Sequence, residues 1–182
     1  MLLILMNLLH RIVNRQKYLL ICTCLWPLFV FATPDVLLEG IDSKNHNLND
    51  YIGKGKWTVL NIWGVHCPPC MEEIPELINF HDDNKDTTAI VVSVAIDFPS
   101  YGYANKEEVM AFTDDHLVDY PVLISDASIS EQIGAGRLEG LPTTYLYTPR
   151  GELVGMQVGA ITGSILEAFI NRYERKHGSS TN

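Results

Sequence analysis

Cysteine is scarce in this chain. Only four of the 182 residues are cysteine, and two of these, Cys22 and Cys24, lie inside an apolar segment near the start. A disulfide-stapled scaffold is thereby excluded. Positive charge is scarce too, with 13 Lys and Arg against 22 Asp and Glu and a formal net charge of −9. Three of the basic residues, Arg11, Arg15 and Lys17, fall in the first 32 residues, which contain no acid, so the remainder is more acidic still. Such a balance excludes nucleic acid as the main partner, because phosphate neutralisation needs a basic surface. Repeats and low-complexity stretches are missing. So is any charge-free apolar run of the ~20 residues that a membrane span needs. Hydrophobic residues make up 47% of the chain, as in a globular protein. The 150 residues after position 32 suffice for one domain with a real core and exclude a multi-domain enzyme.

Residues 1–32 read as a targeting segment. Arg11, Arg15 and Lys17 form a basic flank, Tyr18–Ala32 is apolar and uncharged, and Val30-Phe31-Ala32 places small residues at −3 and −1 of a cleavage site. The pattern predicts either a cleaved signal peptide or an uncleaved anchor, with the start at Met1 or Met6. In both cases the folded part is exported, and the membrane is touched only through an uncleaved leader. No small residue of a lipoprotein signal precedes Cys22 or Cys24, so both read as small hydrophobes.

Beyond the leader the pattern predicts an opening strand or hairpin within Asp35–Gly55, then alternating strands and helices. Trp57–Trp63 suits a buried strand. Cys67–Asn84 has helical spacing at Met71, Ile74, Leu77, Ile78 and His81, with prolines in the first turn, where a missing N–H costs nothing. Thr88–Ile96 is a second buried strand and Lys106–Leu117 an amphipathic helix. Pro121–Ile124 is a short apolar piece, and Ala127–Gly134 a helical turn. Thr143–Thr148 and Glu152–Val158 make a hairpin about Pro149-Arg150-Gly151, and Ile161–Lys176 closes as a helix. His177–Asn182 reads as a polar tail. Strands linked through helices run parallel and the last two antiparallel, so the expectation is an α/β domain with a mixed central sheet flanked by helices.

The mature chain has two cysteines, Cys67 and Cys70, in the run Cys67-Pro68-Pro69-Cys70 between a buried strand and a helix. So short a loop staples little chain, which points to chemistry instead. A helix N-terminus carries unpaired N–H groups and about half a positive charge, which favours a Cys67 thiolate. Cys67 then exchanges with a partner's disulfide, and Cys70 resolves the mixed disulfide. A structural zinc site would need a second pair of ligands, and the remaining histidines show no ligand spacing; no metal is expected.

Asn61–Pro75 (NIWGVHCPPCMEEIP) together with Gly140–Leu146 (GLPTTYL) resembles the thioredoxin fold, and more narrowly the exported TlpA/ResA-like thiol-disulfide oxidoreductases. The similarity spans most of residues 35–176 and implies a thioredoxin-like fold over residues 33–176, with an N-terminal hairpin extension and a strand-and-helix insertion within Thr88–Ala127. It implies a cis peptide before Pro142, turning the Leu141 backbone toward the cysteines to pair with an extended substrate strand. Pro68 and Pro69 belong to the same substrate-contacting surface. Glu73 matches an acidic position one turn after Cys70, where a partly buried carboxylate relays the proton of Cys70; the competing reading is an exposed first-turn acid, for which Glu72 is the better candidate. Asn61 replaces the buried acid of thioredoxin itself, which leaves Glu73 as the proton acceptor. Pro75 kinks the helix, and Trp63 packs in the core first and tunes the site second. His66 departs from the aromatic usual before the first cysteine. It either favours the Cys67 thiolate when protonated or is simply solvent-facing. Tyr101-Gly102-Tyr103 reads as an exposed loop and Asp114-Asp115 as a solvated helix end.

The resemblance implies no bound cofactor, since the cysteine pair carries the electrons. It also implies a reductive direction: a membrane reductant of the DsbD/CcdA type upstream, and disulfides of exported proteins, such as apocytochrome c or a copper-site assembly protein, downstream. Two rivals share the same cysteines. One is a periplasmic dithiol oxidase, since direction depends on thiolate stability in the folded site. The other is a Cu(I) chaperone, which thiolate pairs also suit, although a proline-filled pair without a third ligand makes a poor open metal site. A thiol peroxidase would want a lone peroxidatic cysteine in another context.

Overall fold

The computed structural model describes residues 34–177. The leader predicted over residues 1–32, with Cys22 and Cys24, and the tail residues 178–182 lie outside the described residues. Strand β1 (Leu37–Gly40) and strand β2 (Asn45–Asn47) form the expected opening hairpin, followed by a 3-10 turn at Leu48–Asp50. Then come β3 (Trp57–Trp63), α1 (Pro68–Asn84), β4 (Ala89–Ala95), α2 (Lys106–Asp115), β5 (Val122–Ile124), α3 (Ile129–Gln132), β6 (Thr143–Tyr147), β7 (Leu153–Val158) and α4 (Gly163–His177).

The strands make one seven-stranded sheet in the order β2-β1-β5-β4-β3-β6-β7. Strands β3, β4 and β5 run parallel, while β6 is antiparallel to β3, β7 to β6 and β1 to β5. The insertion thus contributes α2 and β5, and the opening hairpin adds to the sheet on the outer side of β5. All seven residues of the central strand β3 are buried, as its unbroken β-branched and aromatic run requires of a strand covered on both faces. Its alternation sends Trp57, Val59 and Trp63 into a cluster with Ile74, Leu77, Phe80, Leu166 and Ile170 of the helices, and Leu60 and Ile62 into a cluster with Leu48, Ile52, Ile129 and Tyr145. Asn61 therefore lies on the face that α1 covers.

Element ends fall within two residues of the sequence pattern, and three of the differences matter locally. Helix α2 stops at Asp115 instead of Leu117, because Leu117 turns left-handed, with φ 56°, and the N–H groups of Leu117 and Val118 fold back onto the carbonyls of Asp114 and Thr113. Leu117 is consequently 81% exposed instead of joining the core. Helix α4 takes in His177, the first residue of the expected tail, whose ring stacks on Tyr173 at 4.3 Å. Strand β5 is only three residues long and pairs with Ser93–Ala95 of β4. Beyond its end the backbone N–H of Val91 donates to Nδ1 of His81 at 3.0 Å, so a buried histidine stands in for the missing strand neighbour.

Candidate active site

The site forms where β3 hands over to α1. Cys67 is the N-cap, extended at φ −103° and ψ 102°, and Pro68 and Pro69 fill the first turn, where no N–H is missed. The Cys67 N–H donates to the Gly64 carbonyl at 3.2 Å, and the N–H groups of Cys70 and Met71 donate back to the Cys67 carbonyl. Cys67 and Cys70 are joined in a disulfide, with Cα atoms 5.2 Å apart. Both residues are buried, at 1% and 0% exposure. His66 and Pro68 beside them are exposed, while Val65 and Pro69 are half-buried.

Gly64 is where three loops meet. A Cβ there would lie 2.9 Å from the Ile96 carbonyl oxygen, 3.0 Å from Phe98 Cβ and 3.6 Å from Leu141 Cδ1. The missing side chain lets the motif loop approach both the Phe98 loop and the Leu141 loop. The Leu141–Pro142 peptide is cis, as expected, and so is Phe98–Pro99, which no sequence signal beyond the proline announced. The Pro142 carbonyl accepts from Gly159 N–H at 2.8 Å, and the Thr143 hydroxyl donates to the Gly140 carbonyl. Among the described residues the N–H and C=O of Leu141 take no hydrogen-bond partner. A cavity of about 500 Å³ lined by Ser100, Tyr101, Ser128, Arg137 and Glu139 reaches to within two residues of Leu141.

Glu73 is buried at 1% exposure, which removes the exposed first-turn reading; Glu72 is the exposed acid. Its Oε1 accepts from Asn61 Nδ2 at 2.8 Å and its Oε2 from the Ile161 N–H at 3.0 Å. Burial pushes its carboxyl up to about 7, against the pull of those two hydrogen bonds. Asn61 also donates to Thr144 Oγ1 at 3.1 Å. Thr144 and the Ile161 N–H went unnoticed in the sequence, because they meet Asn61 and Glu73 from 83 and 88 residues away respectively.

The remaining candidates sort simply. Trp63 donates from Nε1 to Ser93 Oγ at 3.2 Å and packs on Phe112 at 5.1 Å, as a core residue does. Pro75 lies inside α1. His66 is exposed, and its Nε2 lies 3.2 Å from Glu108 Oε1 at the start of α2; the partner the structure gives it is that carboxylate. Tyr103 is exposed, whereas Tyr101 is half-buried against Phe98. Among the described residues no three His, Cys, Asp or Glu side chains gather into a metal-holding group, and no helix is long and apolar enough to cross a membrane.

A mixed sheet of this order, with a cysteine pair at the β3–α1 junction and a cis-proline just before β6, defines a thioredoxin-like fold built for thiol–disulfide exchange. Residues 32–156 match the AhpC/TSA family. The thiol-disulfide oxidoreductase ResA of Bacillus subtilis (strain 168) is 30% identical over 162 residues, covering 84% of this chain and 86% of its own. A DsbF homologue from Corynebacterium diphtheriae superimposes with a TM-score of 0.66 at 25% identity, over 77% of this chain and 85% of that one. StoA from Bacillus subtilis shares the fold at a TM-score of 0.58 and 24% identity, over 77% and 99%. The chain belongs to the AhpC/TSA family and is a thiol-disulfide oxidoreductase of the ResA type.

Proposed function

We propose that the protein is exported and reduces disulfides in other exported proteins, with apocytochrome c or a copper-site assembly protein as the substrate class and a membrane reductant of the DsbD/CcdA type upstream. The reductive direction follows the resemblance to the TlpA/ResA-like proteins, and export follows the leader pattern of residues 1–32. The observation that carries the exchange chemistry is the Cys67–Cys70 pair at the N-terminus of α1 with Glu73 buried one turn beyond it. In the reduced protein the Cys67 thiolate attacks a substrate disulfide, and one substrate sulfur leaves as a thiolate. Cys70 gives its proton to Glu73 and attacks Cys67 Sγ, releasing the second substrate thiolate and restoring the disulfide. The two electrons reside in the dithiol, so no further redox group takes part. Leu141 offers its unpartnered backbone N–H and C=O to an extended substrate segment, with the cis-Pro142, Pro68 and Pro69 forming the adjoining wall. Asn61 holds Glu73, Trp63 backs the motif, and His66 lies at the rim.

Equilibration with glutathione tests the direction. A reductase should have a potential near that of thioredoxin, about −270 mV, whereas a value near −120 mV would make it an oxidase.

A further inference from the structure

Glu73 is met by two donors and no acceptor. Oε1 takes the Asn61 amide N–H and Oε2 the Ile161 backbone N–H. Such a cradle suits a carboxylate. A carboxylic acid would leave its O–H facing a donor, and a buried O–H needs an acceptor. The Ile161 N–H is backbone and only ever donates, so the proton has no place on the Oε2 side. Oε1 faces an amide with two ends. One end, Nδ2, serves Glu73 and Thr144 Oγ1. The other, Asn61 Oδ1, is buried and has no hydrogen-bond partner, in a residue that is 1% exposed. The Thr144 hydroxyl now accepts, and a hydroxyl donates equally well.

We propose that the Asn61 amide turns over when Glu73 takes up a proton, so that Asn61 Oδ1 accepts both from protonated Glu73 Oε1 and from the Thr144 hydroxyl. Asn61 is then a positioning residue that meets Glu73 in both charge states, at the cost of carrying its Nδ2 to the buried position where Oδ1 has no partner. In the resolving step the proton leaves Cys70 Sγ and arrives on Glu73 Oε1, while the sulfur keeps its electron pair and forms the bond to Cys67 Sγ as the substrate sulfur departs with its own pair. A fixed donor would hold Glu73 in its charged form and resist that proton. A turning amide leaves burial to set the affinity, in keeping with a carboxyl pushed up to about 7.

The groups around Glu73 are few. Cys70 lies one turn before it on α1, and Glu76, one turn after, accepts from the Gly163 N–H. Asn61 faces it from β3, Thr144 completes the network from β6, and Ile161 leads into α4. Tyr120, ahead of β5, feels the Glu73 charge, though burial is the main cause of its raised hydroxyl. No cation contributes to Glu73's shift.

The inference rests on Glu73 being the proton carrier, yet the two fail separately: the carrier role is read from Cys70 in Glu73→Gln, the turning from the amide itself. In the full-length oxidised protein, NMR follows the Glu73 carboxyl carbon and the Asn61 side-chain amide from about pH 5 to about pH 9. The expected result is a shared midpoint, with the contact from the Asn61 amide hydrogens to the Thr144 methyl fading as Glu73 protonates. Contacts that persist at both ends, or a Glu73 that does not titrate in this range, would overturn it. Asn61→Leu gives an independent reading. Both charge states then lose one hydrogen bond, so the Glu73 midpoint should move by less than about half a pH unit; a fixed donor predicts a rise of about one to two units. Should that variant not fold, the unsubstituted protein decides alone.

Discussion

At the scale of single residues, Glu73 sets a pH signature. Its carboxyl is held at about 7 in the fold against a usual 4.5, so between those values the folded protein binds more protons than the unfolded chain. Stability then falls as pH rises through that window, and the cost is complete above it, at about 3 kcal/mol. Glu73→Gln should therefore stabilise the oxidised protein at pH 8 by an amount of that order, with the gain vanishing below about pH 4.5 in denaturant titrations. A gain that stayed constant with pH would mean that Glu73 is not ionising in the fold. In the same variant the Cys70 thiolate loses a nearby negative charge, so its pKa should fall. Resolution of a mixed disulfide should nevertheless slow by about 100-fold or more for want of a proton acceptor. Stopped-flow reduction of a model disulfide measures the second effect, and a Cys70 pKa and resolution rate both equal to those of the unsubstituted protein would remove Glu73 from the mechanism.

Among the elements, two local fits carry measurable weight. Gly64→Ala would push a methyl group against the Ile96 carbonyl and Phe98, which should cost about 1–3 kcal/mol and loosen the loop that carries Cys67. His81→Leu would strand the buried Val91 N–H beyond the end of β5, also at about 1–3 kcal/mol in thermal or urea unfolding. The His81 imidazole is held below its usual 6.5, by burial first. The unfolded chain therefore takes up the proton sooner, and this part of the stability is lost as pH falls below about 6.5. Strand and helix identities were legible because Trp57–Trp63 is continuously apolar and Cys67–Asn84 repeats at helical spacing; both are signals within one segment. The cysteine pair was legible because the residue types themselves carry the chemistry, and the cis-proline because Gly140–Leu146 resembles the corresponding family segment; the cis Phe98–Pro99 bond had no such signal. What stayed hidden was long-range: Thr144 and Ile161 around Glu73, Phe98 against Gly64, and the Glu108 carboxylate beside His66. Leu117 misled because an apolar residue at helical spacing says nothing of the left-handed turn at that residue, closed by the Val118 N–H on the Thr113 carbonyl, that ends the helix.

For the molecule as a whole, the proposed export rests on the leader pattern of residues 1–32. Mass spectrometry of the exported protein should find an N-terminus at Thr33; retention of Met1 or Met6 would establish an anchor in place of a cleaved signal. The proposed function depends on a sulfur that the oxidised fold keeps buried and that reduction must release as an anion at the head of α1. The measurement that tests this most directly is the pH dependence of Cys67 alkylation in the reduced Cys70→Ser variant. The account predicts a midpoint well below the ~8.5 of a free cysteine and a stable mixed disulfide when that variant meets a disulfide-bonded substrate. A midpoint at the free-cysteine value, with no mixed disulfide trapped, would contradict it.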